Sequence, residues 1–354
     1  MPSPVELAKD GERWRLAGTT GPVLRLPIAT LTFSTTPGEP ESLAATFTSR
    51  GREIGLELGS AVSVVPNETS GEHVDLGATL PLERYLPGVL AKELYRQWSP
   101  STFQAQAIAA RSFAVCELAY WAKRRHFDVT TGPDTQAWDG LVTSGMSARA
   151  ARETRGVVLA WDERVVPAYY SSCCGGLPAD AADAIAPGPA NSIPPLAGRN
   201  DGGACCEWSS TYRWERRVPV RSLADGLIAW GRRESVAELA ALDGLRRLEV
   251  SAVNRHGRPV RFRFEEGQGR SAELRSERAR RAIASATPPS AGAFYSAAVD
   301  PRMDGATVTF VGRGHGHGAG MCQHGAEAMA RSGATSESIV RRYFPGAILA
   351  SGWG

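Results

Sequence analysis

Residues 99–121 constrain the fold more than any other stretch. Ser99-Pro100 offers a helix N-cap followed by proline at the first helical position, where its missing N–H does no harm. Beyond it, Phe103, Ala107, Ala110, Ala114, Leu118 and Trp121 recur at helical spacing, and alanine fills much of the intervening sequence. So few large side chains let neighbouring backbones approach closely. The pattern predicts one long helix over residues 100–125 at the centre of the core.

The rest of the chain supplies partners for that helix. Residues 23–80 alternate apolar and polar positions between Gly, Pro and Ser, as short strands do, and a helical period covers 85–98. Residues 157–170 read as β-rich, whereas 177–203 carry so much Pro, Gly, Ala and Asn that they read as a long loop. Two further helical stretches, 218–243 and 273–284, enclose a hairpin of strands 245–253 and 259–264 turning at 254–258. A strand at 308–311 leads into a glycine-rich loop and a helix over 323–331, stopped by Gly333. Thr335 or Ser336 then caps a last short helix before Pro345-Gly346. The expected fold is α+β: mixed sheets around a central alanine-rich helix, with an inserted α/β subdomain. Its expected division is a β-rich segment over 1–80, a core over 81–217, an inserted subdomain over 218–300 and the rest of the core over 301–354.

Composition narrows the partners. At 354 residues and 42% hydrophobic content the chain can bury a substantial core. Its 40 basic and 37 acidic residues leave a formal charge of +3, which gives no field to draw nucleic acid, so a neutral or weakly charged partner fits better. No run approaches the roughly 20 apolar residues of a membrane span, and residues 1–18 lack the basic and apolar regions of an export signal.

Three constellations can carry chemistry. In the first, Glu93 lies among Val89, Leu90, Leu94 and Trp98, where partial burial would keep a carboxyl protonated near neutrality, as a general acid requires. The ordinary alternative is an exposed helix glutamate. Gln106 and Arg111 are polar insertions in the apolar helix and need partners, either a ligand or a neighbouring loop. The second constellation runs from Gly312 to Ala326. Its glycines permit close approach to main-chain N–H groups, and no Lys-Ser or Lys-Thr follows them as in a phosphate loop. His315, His317, His324 and Cys322 could bind zinc, although glycines on both sides of His315 and His317 make ligand-facing or loop-bracing imidazoles the preferred reading. In the third, Cys173-Cys174 and Cys205-Cys206 flank the long loop, and either a cross-loop disulfide such as Cys174 to Cys206, a cysteine-rich zinc site or free thiols satisfies the pattern.

In order and spacing, these boxes resemble the stage II sporulation protein D (SpoIID/LytB domain) family. The likeness rests on Leu-Glu-x-Tyr-Leu-x-Gly-Val from Leu82, Glu93, Ala-Gln-Ala-x-Ala-Ala-Arg from Ala105, and Gln136-Ala137-Trp138-Asp139-Gly140. It continues through 151–159, Tyr170-Ser171-Ser172-Cys173-Cys174-Gly175-Gly176, the glycine-rich loop, and Tyr343-Phe344-Pro345-Gly346. The resemblance implies a lytic transglycosylase of the cell envelope acting on peptidoglycan glycan strands, or a relative that stimulates a cell-wall amidase. It places the functional carboxyl at Glu93 and implies sugar binding or orientation of Glu93 by Gln106, Arg111, Gln136, Trp138, Tyr170, Ser172, His315, His317 and Gln323. No cofactor is required by this reading. Some relatives hold zinc just before the Gln-x-aromatic box, where this chain has Gly132, Pro133 and Thr135; others carry a Cys before Gly-Gly and a second further on, which favours a bond involving Cys174. Leu94, His315, His324 and Cys322 depart from the family's usual Met, aromatic, aromatic and Ser.

Overall fold

The computed structural model describes residues 5–10, 13–18, 24–27, 31–34, 44–49, 52–57, 61–66, 74–132, 135–199 and 206–352. The N-terminal part forms antiparallel ribbons. Val5–Asp10, Arg13–Gly18 and Leu24–Pro27 pair in that order, Ala44–Ser49 pairs with Arg52–Glu57, and Ala61–Pro66 lies between Leu31–Ser34 and Val74–Ala78. Val62 carries this last sheet into the core, where it is buried among Leu86, Leu90 and Phe103.

Helix α1 spans Leu82–Glu93, starting and stopping earlier than the expected 85–98 because Leu94 adopts an extended backbone at φ −118° and ψ 150°. Glu93 is therefore the last residue of its helix. Helix α2 covers Pro100–Trp121, and from Thr102 to Ala114 every residue but Gln104 is buried. Ala105, Ile108 and Ala109 join a cluster with Leu159, Met321 and Phe344; Phe103, Ala107 and Ala110 join another with Leu86, Leu90 and Trp98. The expected apolar face does not stay in the core to its end, since Leu118 is 57% exposed, and the helix stops at Trp121 rather than near residue 125. Its N-terminus also differs from expectation. Ser99 makes no side-chain cap; instead the buried Glu327 carboxylate accepts the Ser99 N–H at 2.9 Å, the Ser99 hydroxyl at 3.2 Å and the Thr102 hydroxyl at 2.7 Å. Helix α3 (Gly145–Glu153) packs against α1 and α2.

Among its described residues the expected long loop contains one short α-helix, α4 (Ala181–Ala184), and two 3-10 turns, Pro189–Asn191 and Pro194–Leu196. A second body then follows: Thr307–Arg313 is the middle strand between Arg213–Pro219 and Val299–Asp304, and Pro259–Glu265 lies between Arg247–Val253 and Ser271–Arg275. Helices α5 (Val220–Arg233), α6 (Ala237–Ala240) and α7 (Ser276–Ala286) cover these strands. The helix expected over 273–284 begins later because Ala272 and Leu274 alternate inward, which adds Ser271–Arg275 to the hairpin. This body's apolar cluster runs from Trp214 to Phe310, so Val308 and Phe310 pack with the insert rather than with the C-terminal part of the core. Helix α8 (Gln323–Arg331) follows the glycine-rich loop, and α9 (Ser336–Tyr343) is capped by Thr335, whose hydroxyl accepts the Ser338 N–H. Among the described residues no helix is long and apolar enough to cross a membrane.

Candidate active site

Four segments meet at Glu93: the end of α1, the loop at Gln136-Ala137, the strand Tyr170–Ser171 and the start of α8. One carboxylate oxygen of Glu93 accepts the Ala137 N–H at 3.1 Å, and the other accepts Gln323 Nε2 at 3.2 Å. Burial raises the pKa of the half-buried carboxyl above 4.5, and these two hydrogen bonds pull the other way without cancelling it. Among the described residues no cation opposes the shift. The carbonyl end of α1 adds a negative field of its own at this position.

Around the carboxyl lie groups that hold or face it. Gln323 Nε2 also reaches Gln106 Oε1 at 3.4 Å, which leaves the buried Gln106 Nε2 without a partner. The buried Tyr170 hydroxyl faces Gln136 without a well-formed hydrogen bond, and burial followed by the Glu93 charge pushes its pKa well up, so the phenol stays neutral. Tyr85 donates to Gln136 Oε1 at 3.3 Å, and its phenol is raised by the same two causes. Gln136 is wholly buried and donates to the Ala110 carbonyl at 3.1 Å, so it braces the loop that presents the Ala137 N–H. Trp138 is also a brace: its indole donates to the Tyr85 carbonyl and stacks on the Tyr85 ring. A Cβ on Gly88 would stand 2.4 Å from Trp138 Nε1 and 2.1 Å from the Gly140 carbonyl, which accounts for glycine in that turn of α1.

The structure moves other expected residues away from the carboxyl. Arg111 is fully buried and forks onto Glu83 at 2.8 and 2.9 Å while donating to the carbonyls of Val157 and Ala151. It ties α2 to α1 and α3 and has no face left for a sugar. The glycine-rich loop is close to other backbone rather than open to a ligand: His315 exchanges both backbone hydrogen bonds with Cys173, Gly316 N–H donates to the Tyr295 carbonyl, and a Cβ on Gly320 would stand 2.0 Å from the Tyr169 carbonyl. Gly314, Gly316, Gly318 and Gly320 all have positive φ, so the segment turns repeatedly instead of running as an extended strand. His315 is exposed against Tyr295; His317 packs edge-on against Tyr169, accepts the Ala319 N–H on Nδ1, and is held neutral by burial, which pushes its pKa down to about 4. Ser172 serves through its carbonyl, 2.8 Å from His324 Nδ1, which makes Nδ1 the protonated nitrogen of a neutral ring.

Cys174 and Cys206 face each other, but their sulfurs stand 3.7 Å apart as free thiols, where a disulfide needs about 2.05 Å. Cys173 is a buried free thiol, and Cys205 lies outside the described residues. At the position of the relatives' zinc, Gly132 offers no ligand and the Thr135 hydroxyl is engaged with Thr130, so these residues do not fit a metal.

Two rings packed at the start of α8 escaped the sequence reading. Tyr95, 56% exposed, and Trp208, 44% exposed, flank Trp98 and His324, and the Trp208 indole donates to the His324 carbonyl. Tyr95 lies two residues beyond Glu93, whereas only the fold brings Trp208 here. A cavity of about 260 Å³ opens elsewhere, between α1 and α3, and is lined by Glu83, Arg84, Pro87 and Arg155.

The fold and site thus define an α+β protein that assembles one buried-side carboxyl, two unpaired polar groups and a pair of exposed aromatic rings. Residues 70–161 match the family described as SpoIID, Stage II sporulation protein, and residues 199–320 match a family described as Domain of unknown function (DUF8618). An amidase enhancer of Bacillus subtilis (strain 168) is 28% identical over 298 residues, which cover 75% of this chain and 40% of that protein. Stage II sporulation protein D of Bacillus amyloliquefaciens is 24% identical over 303 residues, 81% of this chain and 78% of that one. An uncharacterized protein of Brachyspira hyodysenteriae is 25% identical over 268 residues, 75% of this chain and 66% of that one. The resemblance read from the boxes is borne out: residues 70–161 carry the SpoIID match, and most of the chain is similar to stage II sporulation protein D.

Proposed function

We propose that this protein is a peptidoglycan lytic transglycosylase of the cell envelope, with Glu93 as its single acid and base. The observation that carries the reading is the Glu93 carboxyl itself: half-buried, free of any ion pair among the described residues, and raised in pKa by burial. Such a group holds its proton to higher pH than a free carboxyl does, as a general acid requires. It would protonate the oxygen between N-acetylmuramic acid and N-acetylglucosamine. As carboxylate it would then take the proton of the muramic 6-hydroxyl as that oxygen closes a 1,6-anhydro ring.

One carboxyl suffices for this chemistry, because no water molecule has to be activated on the opposite face of the sugar. The neighbouring Asp139 is engaged by Lys92 at 3.0 Å on the surface. Gln106 Nε2 and the Tyr170 hydroxyl support the reading too. An unpaired buried polar group costs about 1–3 kcal/mol, so two of them beside one carboxyl favour a ligand's hydroxyl and acetamido groups as their partners. Tyr95 offers an exposed ring of the kind on which sugars stack, whereas the Arg331 guanidinium lies over the Trp208 ring at 4.5 Å.

The second reading is a glycan-binding enhancer of a cell-wall amidase, favoured by the relative that carries the name amidase enhancer. It uses the same exposed ring and does not need Glu93 to titrate. Purified wild type and Glu93→Gln, incubated with glycan strands bearing or lacking stem peptides, separate the two when products are assayed for 1,6-anhydro ends. Anhydro ends from wild type alone support catalysis by Glu93. Equal release by both proteins removes Glu93 from the reaction, and release by neither, with binding retained, favours the enhancer.

A further inference from the structure

Behind the Glu93 site, cysteines from three separate stretches of chain converge. Cys173 and Cys174 follow the strand Tyr170–Ser171, Cys206 precedes the turn toward Arg213, and Cys322 sits immediately before α8. The sulfurs of Cys173, Cys206 and Cys322 all lie within 4.8 Å of one another and all three residues are buried. Cys174 Sγ adds a fourth sulfur, 3.7 Å from that of Cys206.

This geometry suits a metal better than a disulfide. A disulfide consumes sulfurs in pairs at about 2.05 Å and gives no reason for a third to point at the same spot. In a tetrahedral zinc site with Zn–S bonds of about 2.3 Å, neighbouring sulfurs stand about 3.8 Å apart, which the Cys174–Cys206 spacing already matches. We propose that Cys173, Cys206 and Cys322, with Cys174 as fourth ligand, bind one zinc ion that fastens the Tyr170 segment, the Cys206 turn and the start of α8 to each other.

The surroundings are those of a thiolate-metal centre. The Cys174 N–H donates to Cys322 Sγ at 3.3 Å, and the Gly175 and Gly176 amides are directed at the sulfurs of Cys173, Cys174 and Cys206. Gly175 and Gly176 have φ of 66° and 76°, a left-handed turn that directs successive N–H groups inward, and a Cβ on Gly175 would stand 2.6 Å from the Gly314 nitrogen. Four thiolates and one zinc leave two negative charges; the buried Arg258 guanidinium, bonded to the carbonyls of Leu177 and Gly316 and 3.4 Å from that of Cys174, lies close enough to offset one of them. The thiol protons leave to solvent as zinc binds, and no electron moves. Gln323 follows Cys322 directly, so the ion would fix the residue that donates to Glu93. The assignment stands apart from any transglycosylase activity, since metal content is read without substrate.

The full chain, expressed with zinc in the medium and purified without chelator, tests this by elemental analysis together with peptide mapping under non-reducing conditions. About one zinc per chain is expected in wild type and in Cys116→Ser, whose sulfur bonds the Val165 carbonyl away from the cluster. Less than a tenth of that is expected in Cys322→Ser, with circular dichroism to show that it has folded. If that variant fails to fold, wild type decides alone: mercurial titration of its thiols should release the zinc into a colorimetric chelator. Wild type that takes up no zinc under reducing conditions, holds iron instead, or yields disulfide-linked peptides from Cys173, Cys174, Cys206 or Cys322 overturns the assignment.

Discussion

At the scale of single residues, Glu93 sets the pH behaviour. A general acid must carry its proton, so turnover should fall as pH rises through a pKa that burial has moved above 4.5. Gln323 donates to the charged form, and removing that bond raises the pKa further; Gln323→Ala should therefore shift the basic limb of the pH–rate profile to higher pH while lowering the maximum. Glu93→Gln should lower turnover by roughly 10²–10⁴-fold. It should also change stability, with a sign that follows from linkage. The folded-state pKa lies above the unfolded one, so the native chain keeps a proton that the unfolded chain has released. That stability is complete below the unfolded pKa and disappears as pH rises through the folded one. Glutamine never ionises, so the variant should gain in Tm over wild type at pH 7 and lose most of that gain near pH 4, measured by scanning calorimetry. Glu93 was legible through the family resemblance of its boxes, because helical spacing alone favours an exposed glutamate there. Arg111 was not, because an arginine in an alanine-rich helix reads equally well as a sugar ligand or as the partner of a distant acid, and Glu83 lies 28 positions away in the chain.

At the scale of elements, the site depends on how α1, α2 and α8 are held together. The buried Glu327 carboxylate of α8 supplies the cap that Ser99 does not provide for α2 and also receives Arg331 at 2.8 Å. Glu327→Ala would leave the Ser99 and Thr102 donors unpaired next to the core, a loss of roughly 3 kcal/mol that urea unfolding can measure as a lower midpoint. Gly88→Ala acts on the other side. Its methyl group would collide with Trp138 and the Gly140 carbonyl and displace the loop that hands the Ala137 N–H to Glu93. The variant should lose turnover out of proportion to its loss of Tm, because the displaced amide positions the acid without belonging to the main core. The central helix was readable because proline at N1 and alanine spacing are local signals. Its true cap was not, since the donor–acceptor pair spans 228 positions and only the fold closes that distance. Likewise, the alternation at Ala272 and Leu274 is too short to separate a strand from the helix that follows it.

At the scale of the whole molecule, two apolar cores have to act as one support. The insert buries its own cluster from Trp214 to Phe310, apart from the clusters around α2. What couples it to the Glu93 side is polar. From the turn of the Arg247–Val253 and Pro259–Glu265 hairpin, Asn254 donates to the Pro178 carbonyl at 3.0 Å, and Arg258 inserts its guanidinium between the Leu177 and Gly316 carbonyls at 2.9 and 3.0 Å. No periodicity announces such a contact: the sequence shows a hairpin and a glycine-rich loop, and only the tertiary path reveals that one pins the other. Arg258 is wholly buried and its charge is opposed by desolvation, so the guanidinium is retained for the carbonyls it joins rather than for burial itself. Arg258→Met keeps much of the volume and removes all the donors. Amide hydrogen exchange read by mass spectrometry should then show faster exchange across residues 312–320 and 174–179, while α5 and the hairpin strands, held by their own core, keep wild-type protection. Uniform loss of protection throughout the chain would mean that the two cores unfold as one unit and that Arg258 is an ordinary core residue. Protection unchanged at the glycine-rich loop would mean that its own backbone pairing, and not the insert, holds it beside the start of α8.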